Sequence, residues 1–191
     1  MIKHPVFPTI FYEFDLSDCL DQIRELIPLE PNMLSPHYPG LTQTQHQALH
    51  TLDQWQWLKN RVEDCLLEIQ KTDEYDPMFG QLRLTRLWAN IAVKGSGAHH
   101  TQHRHPMSLL SGIIYVTNGE PTKFLDPCYA RSLSQIEVPM RANYDDLLIE
   151  PQPGKMIVFP SYMQHLTIPH YAADDHRITM AWNSLPEIMV P

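Results

Sequence analysis

"HRHPMSLLSGIIYV", residues 103–116, sets two histidines two positions apart just before an apolar run. The run reads as a buried strand, rich in β-branched residues, and Pro106 marks its edge because proline cannot donate to a ladder. On an extended backbone, side chains at i and i+2 leave from one face, roughly 7 Å apart at the α-carbons. His103 and His105 therefore look the same way at the mouth of a strand. From there they can converge on one metal ion at bonds of about 2 Å. Eleven histidines in 191 residues make one such pair unremarkable, so its weight depends on the rest of the chain.

Outward from this stretch, the second half keeps a strand-like pattern. "LRLTRLWANIAV" (82–93), "LLSGIIYVT" (109–117), "TKFLDP" (122–127), "LIEP" (148–151), "GKMIVFP" (154–160), "LTIPH" (166–170) and "RITMAWNSL" (177–185) are short apolar runs parted by proline, glycine, asparagine and charged turns. The first half differs. "VFPTIFYEFD" (6–15) alternates enough to be a strand. "LSDCLDQIRELIPL" (16–29) reads as a helix capped by Ser17 or Asp18, with Leu20, Ile23, Leu26 and Ile27 on one face and Pro28 as its stop. Residues 30–50 show no period and read as an irregular excursion. "LDQWQWLKNRVEDCLLEIQKT" (52–72) sets Trp55, Leu58, Val62, Cys65, Leu66 and Ile69 at helical spacing. Two helices beside mostly antiparallel strands predict a mainly β jelly-roll, cupin-like, with helical support. No repeat or linker interrupts the chain. It reads as a single domain, 1–191, with an N-terminal strand and supporting helices in 1–80 and the jelly-roll core and metal site in 81–191.

The distal half adds a third imidazole. "GKMIVFPSYMQH" ends on His165, presented by the turn after a strand; Arg177 and Thr179 then alternate on one face of the last strand. A barrel can bring strand ends together, so His165 can join His103 and His105 at one mouth. A cation deeper in the cavity could hold an anionic ligand whose other end meets the metal. The competing reading puts Arg177 in a surface pair with Asp174 or Asp175, which would contribute little.

The pieces "LWANIAV", "HRHPMSLLSGIIYV", "FLDP", "PGKMIVFPSYMQH" and "RITMAWN", in this order, resemble the 2-oxoglutarate- and iron(II)-dependent oxygenases across about residues 86–185. More narrowly they resemble an oxygenase group of marine bacteria and their phages. The resemblance implies a double-stranded β-helix, Fe(II) as metal and 2-oxoglutarate as cosubstrate. It places the first and last iron ligands on His103 and His165, and the 2-oxoglutarate anchor on Arg177. Thr179 becomes an assisting hydroxyl and Tyr115 a further hydroxyl contact. The chain departs from the family at residue 105, where a carboxylate is usual. His105 is the preferred third ligand, because its spacing already delivers it; Asp126 in "FLDP" is the alternative. An all-histidine site remains chemically feasible for Fe(II) and leaves the centre one unit more positive.

Other residues have plainer readings. Trp88 and Trp182 read as barrel core, and Trp55 and Trp57 as helix scaffolding. Ser108 and Asn90 suit the cavity or a turn equally. His99 and His100, in a glycine-bearing stretch, read as a solvated turn. His170 and His176 lack partners at ligand spacing.

The formal charge is −8 with no basic stripe, which argues against nucleic acid as main partner. Three widely spaced cysteines form no metal or redox motif, and neither a signal sequence nor a membrane span is visible, so a cytoplasmic location is expected. The expected activity is an Fe(II)- and 2-oxoglutarate-dependent dioxygenase, a hydroxylase using O₂ on a small-molecule or peptidyl substrate, with a homodimer left open. The alternatives are a three-histidine cupin-type dioxygenase without 2-oxoglutarate and a non-catalytic metal-binding jelly-roll.

Overall fold

The computed structural model describes residues 8–73, 75–128, 146–172 and 175–190. Among them lie strands β1 (Tyr12–Asp15), β2 (Asn32–Leu34), β3 (Leu41–Thr44), β4 (Leu82–Ala92), β5 (Leu110–Tyr115), β6 (Thr122–Leu125), β7 (Asp146–Ile149), β8 (Lys155–Pro160), β9 (His165–Thr167) and β10 (Arg177–Pro186). Two α-helices, α1 (Leu20–Leu26) and α2 (Gln56–Thr72), precede β4. The strands form a major sheet in the order β1–β8–β5–β10–β4–β3–β2 and a minor sheet β7–β6–β9, with every neighbouring pair antiparallel. This is the expected jelly-roll, a double-stranded β-helix with helices outside. Each apolar run in the second half became a strand.

Period-two alternation divides the major sheet cleanly. Along β10, Ile178, Met180 and Trp182 point to the helices, while Arg177, Thr179 and Ala181 point to the space between the sheets. The outer layer buries the predicted α2 face, Leu58, Val62, Cys65, Leu66 and Ile69, together with Trp55 just ahead of it. Ile114, Met156, Val158 and Trp182 meet that layer from the sheet. The inner layer packs Ile113, Tyr115, Ile157 and Phe159 against Phe124 of the minor sheet. Among the described residues no helix is long and apolar enough to cross a membrane, and all three cysteines are unpaired thiols.

Three local expectations are corrected. The cap before α1 is neither Ser17 nor Asp18: Asp15 Oδ1 accepts the Ser17 N–H at 2.8 Å, and a short 3₁₀ turn leads into the helix. Pro28 sits in a 3₁₀ turn, Ile27–Leu29, that closes it. The amino-terminal strand begins only at Tyr12, and residues 6 and 7 of the predicted run lie outside the described residues. Residues 30–50 are not wholly irregular. They contain the β2–β3 hairpin, which joins the sheet edge through Leu41↔Ala92, Thr42↔Ile91 and Gln43↔Asn90. Of its buried residues only Leu41 is apolar, packing on Ala92 and Ala98, so no apolar period betrays it. Gln43 Nε2 donates to Asn90 Oδ1 at 2.7 Å, and Thr44 Oγ1 accepts the Ala89 N–H at 3.2 Å.

Trp182 depends on Gly112, its partner across the β5–β10 pair. A Cβ at residue 112 would stand 2.2 Å from the indole ring. Gly112→Ala is therefore expected to lower unfolding free energy by about 3 kcal/mol, the upper part of the usual overpacking range, as read by urea denaturation. Unchanged stability would mean that the indole moves aside without cost.

Candidate active site

The site begins with a backbone contact. His103 N donates to His165 O and His165 N donates to His103 O, both at 2.9 Å, so the two residues form a reciprocal antiparallel pair. Residues in such a pair carry their side chains on the same face, within contact distance. The chain around His103 is tied further by His105 N to Ser161 O at 3.0 Å and by Thr167 N to His100 O at 3.1 Å. Residues 100–105 thus line up beside β9. His105, two residues beyond His103, falls on the same face.

The three rings meet as expected. Their centroids are 4.3 Å (His103–His165), 5.1 Å (His105–His165) and 5.4 Å (His103–His105) apart. One nitrogen from each lies within 4.8 Å of the others, a spacing that can hold a metal ion. Nδ1 of His103 lies 2.8 Å from Thr101 O, and Nδ1 of His165 lies 3.1 Å from Met163 O. Each Nδ1 therefore carries the proton and leaves Nε2 as a lone-pair donor toward the cluster. His105 Nε2 lies 3.4 Å from His165 Nε2, and the Asn183 side chain near its ring is itself held by Ser111 Oγ, which donates to Oδ1 at 2.9 Å.

Burial keeps these imidazoles neutral. It pushes His103 below its ordinary value and His165 well below. His105 is pulled down to about 4, chiefly by burial and then by the repulsion that a second imidazolium beside His103 would meet. Phe124, Phe159 and Trp88 pack around the cluster at centroid distances of 5.0 to 5.9 Å. Three neutral nitrogens converging in a half-dry setting suit a divalent transition metal. Asp126 stands apart from this group, its Oδ1 accepting the Cys128 N–H at 2.8 Å in the turn after β6.

The same cleft, partly open to solvent, is lined by Arg177 and Thr179 as well as by the three histidines. Arg177 is only 3% exposed. Its Nε donates to Glu120 O at 2.9 Å, its Nη2 donates to Thr122 Oγ1 at 3.1 Å, and its guanidinium carbon lies 6.0 Å from the centre of the Tyr115 ring. Gly119, at φ +147°, makes room for the arginine stem; a Cβ there would come within 2.9 Å of it. Among the described residues Arg177 has no carboxylate partner, and Nη1 has no hydrogen bond. Burial lowers its pKa, yet a guanidinium stays charged at neutral pH. Of the two surface partners considered from sequence, Asp174 lies outside the described residues. Asp175 instead offers its main-chain carbonyl to His170 Nε2 at 2.8 Å.

The remaining expectations divide. Thr179 lines the cleft and accepts a long hydrogen bond from Asn90 Nδ2 at 3.5 Å. Asn90 proves to be a buried cleft residue, and its Oδ1 also accepts from Trp88 Nε1 at 3.1 Å. Trp88 is a cleft wall rather than core, whereas Trp182 is core. Tyr115 is fully buried behind Arg177 and donates its hydroxyl to Thr122 Oγ1 at 2.9 Å. His100 is no solvated turn: 7% exposed, it packs on Tyr38 and His103 and lines the cleft. His170 stays outside the metal-capable group, as expected, and its Nδ1 bonds the Glu120 carboxylate. His176 Nδ1 accepts the Lys94 N–H at 3.0 Å. Thr122, Glu120 and Tyr38 were missed from sequence; only the strand period of "TKFLDP" hinted that Thr122 faced inward.

With this geometry the chain can be placed. Residues 86–183, just over half of it, match the family described as "Putative 2OG-Fe(II) oxygenase", and the chain belongs to that family of 2-oxoglutarate- and iron(II)-dependent oxygenases. No curated protein sequence matches it. Solved structures share its fold. HygX from Streptomyces hygroscopicus, with nickel and 2-oxoglutarate bound, superposes with a TM-score of 0.66 at 12% identity over 94% of this chain and 84% of its own. An oxidoreductase of the 2OG-Fe(II) oxygenase family from Burkholderia pseudomallei gives 0.61 at 16% identity, with the same coverages. A Pseudomonas putida prolyl-4-hydroxylase gives 0.59 at 13% identity over 92% of both chains.

Thr122 satisfies two buried donors at once, from Arg177 and Tyr115. Thr122→Val keeps the shape and strands both, so unfolding free energy is expected to fall by about 1–3 kcal/mol. Chemical denaturation checks this, and a loss under 0.5 kcal/mol would mean that water replaces the hydroxyl.

Proposed function

We propose that this member of the family is an Fe(II)- and 2-oxoglutarate-dependent dioxygenase that hydroxylates a small-molecule or peptidyl substrate. One observation carries the reading: a single cleft joins three neutral imidazoles to a buried guanidinium that forms no ion pair among the described residues. A buried cation that forms no ion pair of its own is costly to keep, and an anion that arrives to meet it offsets that cost. The cosubstrate is a dianion whose two ends require these two kinds of group.

In this assignment His103, His105 and His165 hold the iron. When bound, iron with 2-oxoglutarate and O₂ supplies an oxidant able to hydroxylate a C–H bond, with 2-oxoglutarate ending as succinate and CO₂. The protein's own residues prepare that chemistry. Thr101 O and Met163 O fix the tautomers of His103 and His165. Arg177 offers Nη1 to the far carboxylate of 2-oxoglutarate, with Thr179 beside it, while Glu120 O, Thr122 and Gly119 fix the direction of the side chain. Tyr115 supports this anchor through Thr122. Trp88, Phe124 and Phe159 exclude water from the cluster, which strengthens every electrostatic contact there. Neutral imidazole in place of the family's usual carboxylate leaves the metal centre more positive and favours anionic ligands. The three free thiols fit a cytoplasmic setting.

The all-histidine donor set also favours a second reading, a dioxygenase that binds an anionic substrate directly and uses no 2-oxoglutarate. Succinate separates the two. Purified protein, loaded anaerobically with Fe(II) and then given 2-oxoglutarate and O₂, is expected to release succinate. His103→Ala should abolish that release and weaken metal binding. Arg177→Ala should cost about 2–5 kcal/mol of 2-oxoglutarate affinity while metal binding persists. Oxygen uptake without succinate supports the second reading; 2-oxoglutarate affinity unchanged in both variants defeats the first.

A further inference from the structure

His100 is the one cleft-lining imidazole to which the proposed metal site gives no task. Its position is well determined: its N–H donates to Thr167 Oγ1 at 2.7 Å, and its carbonyl accepts the Thr167 N–H at 3.1 Å. Its ring packs against Tyr38 at 4.6 Å between centroids and against His103 at 5.4 Å. Tyr38 rides on the loop before β3, so the hairpin that the sequence hid supplies one wall of this pocket.

The ring nitrogens of His100 are unlike those of its neighbours. His99, His103 and His165 each set Nδ1 against a main-chain carbonyl, and His170 has partners for both nitrogens. Among the described residues the His100 ring has no hydrogen-bond partner, although the residue is more than nine-tenths buried. It is also absent from the enclosed side-chain atoms that lack a partner, which are His50 Nδ1 and Trp182 Nε1. The open side of its polar edge is therefore the cleft, which it lines together with Arg177, Thr167, Thr179 and the metal-site histidines. Its ring lies against His103 on one side, and Arg177 lines the same cleft. His100 thus sits on the flank between the metal end and the guanidinium end.

A buried polar group without a protein partner calls for one from elsewhere. A neutral imidazole always carries one N–H, and a carboxylate only accepts. We propose that His100 is a ligand-contacting residue that donates a hydrogen bond from its ring to a carboxylate oxygen of bound 2-oxoglutarate. The assignment rests on the function proposed above. It adds a third recognition group to Arg177 and the metal centre, on a residue outside the HxH pair. It also explains why Tyr38 covers this ring, since a fixed donor loses less freedom when the ligand arrives.

The experiment uses the full chain loaded with Co(II) under anaerobic conditions. Co(II) and then 2-oxoglutarate are titrated by calorimetry into wild type, His100→Phe and His100→Gln. His100→Phe keeps the aromatic packing and removes the donor, whereas His100→Gln keeps a donor. Loss of one hydrogen bond to a charged group predicts a Kd for 2-oxoglutarate raised roughly 10- to 100-fold in His100→Phe. Co(II) affinity should be unchanged, and His100→Gln should recover much of the loss. If His100→Phe does not fold, His100→Leu replaces it. A 2-oxoglutarate Kd equal to wild type in the variant without a donor overturns the proposal, as does a parallel loss of Co(II), which would make His100 a support of the metal site. If wild type itself binds Co(II) but no 2-oxoglutarate, the functional reading falls and takes this assignment with it.

Discussion

The reciprocal hydrogen-bond pair between His103 and His165 is the constraint on which the site depends. Sixty-two residues separate the two positions, and no local preference could bring their side chains together. Once the main chains exchange both bonds, the imidazoles must share a face, and strand geometry adds His105 without further cost. The ring nitrogens then need only small rotations, which Thr101 and Met163 restrict by holding Nδ1. Convergence of the three donors is thus a property of backbone pairing first and of side-chain packing second. That order suits a metal site, because a ladder contact is harder to distort than a rotamer.

The opposite end of the cleft is built on another plan. Arg177 stands on β10, the most extensively paired strand of the major sheet, but its direction is set by the loop before β6. Glu120 does double duty there. Its carbonyl takes Arg177 Nε, while its carboxylate binds His170 Nδ1 and accepts the Tyr171 N–H at 3.2 Å. The guanidinium is consequently held in place by a carbonyl and a hydroxyl, and among the described residues it forms no ion pair, the Glu120 carboxylate acting on it only from a distance. Positive charge kept available in this way is a standing attraction for anions, and at low dielectric it acts more strongly than it would at the surface.

Much of this was legible in the chain. Short apolar runs bounded by turn residues located β4, β5, β8 and β10 closely, and the helical period located α2 with its whole buried face. Strand alternation put His103 with His105 and Arg177 with Thr179. What stayed hidden had no period to reveal it. Besides Leu41, the buried residues of β3 are Gln43 and Thr44, satisfied by hydrogen bonds to Asn90 and Ala89. Thr122 and Glu120 meet their partners across 55 and 50 residues of chain. His100 looked like part of a glycine-softened loop because nothing in "GSGAHH" announces that Tyr38, from the far side of α2, will cover it.

The strict division of β10 between two faces has a consequence for how such a chain can change over time. Arg177, Thr179 and Ala181 face the cleft, and Ile178, Met180 and Trp182 between and after them hold the sheet to its helices. Loss or gain of one codon between them would turn every downstream side chain over, sending indole toward the cleft and amide into oil. Drift in this segment is therefore confined to exchanges of one residue for another at constant length, while the surface turns remain free to grow or shrink.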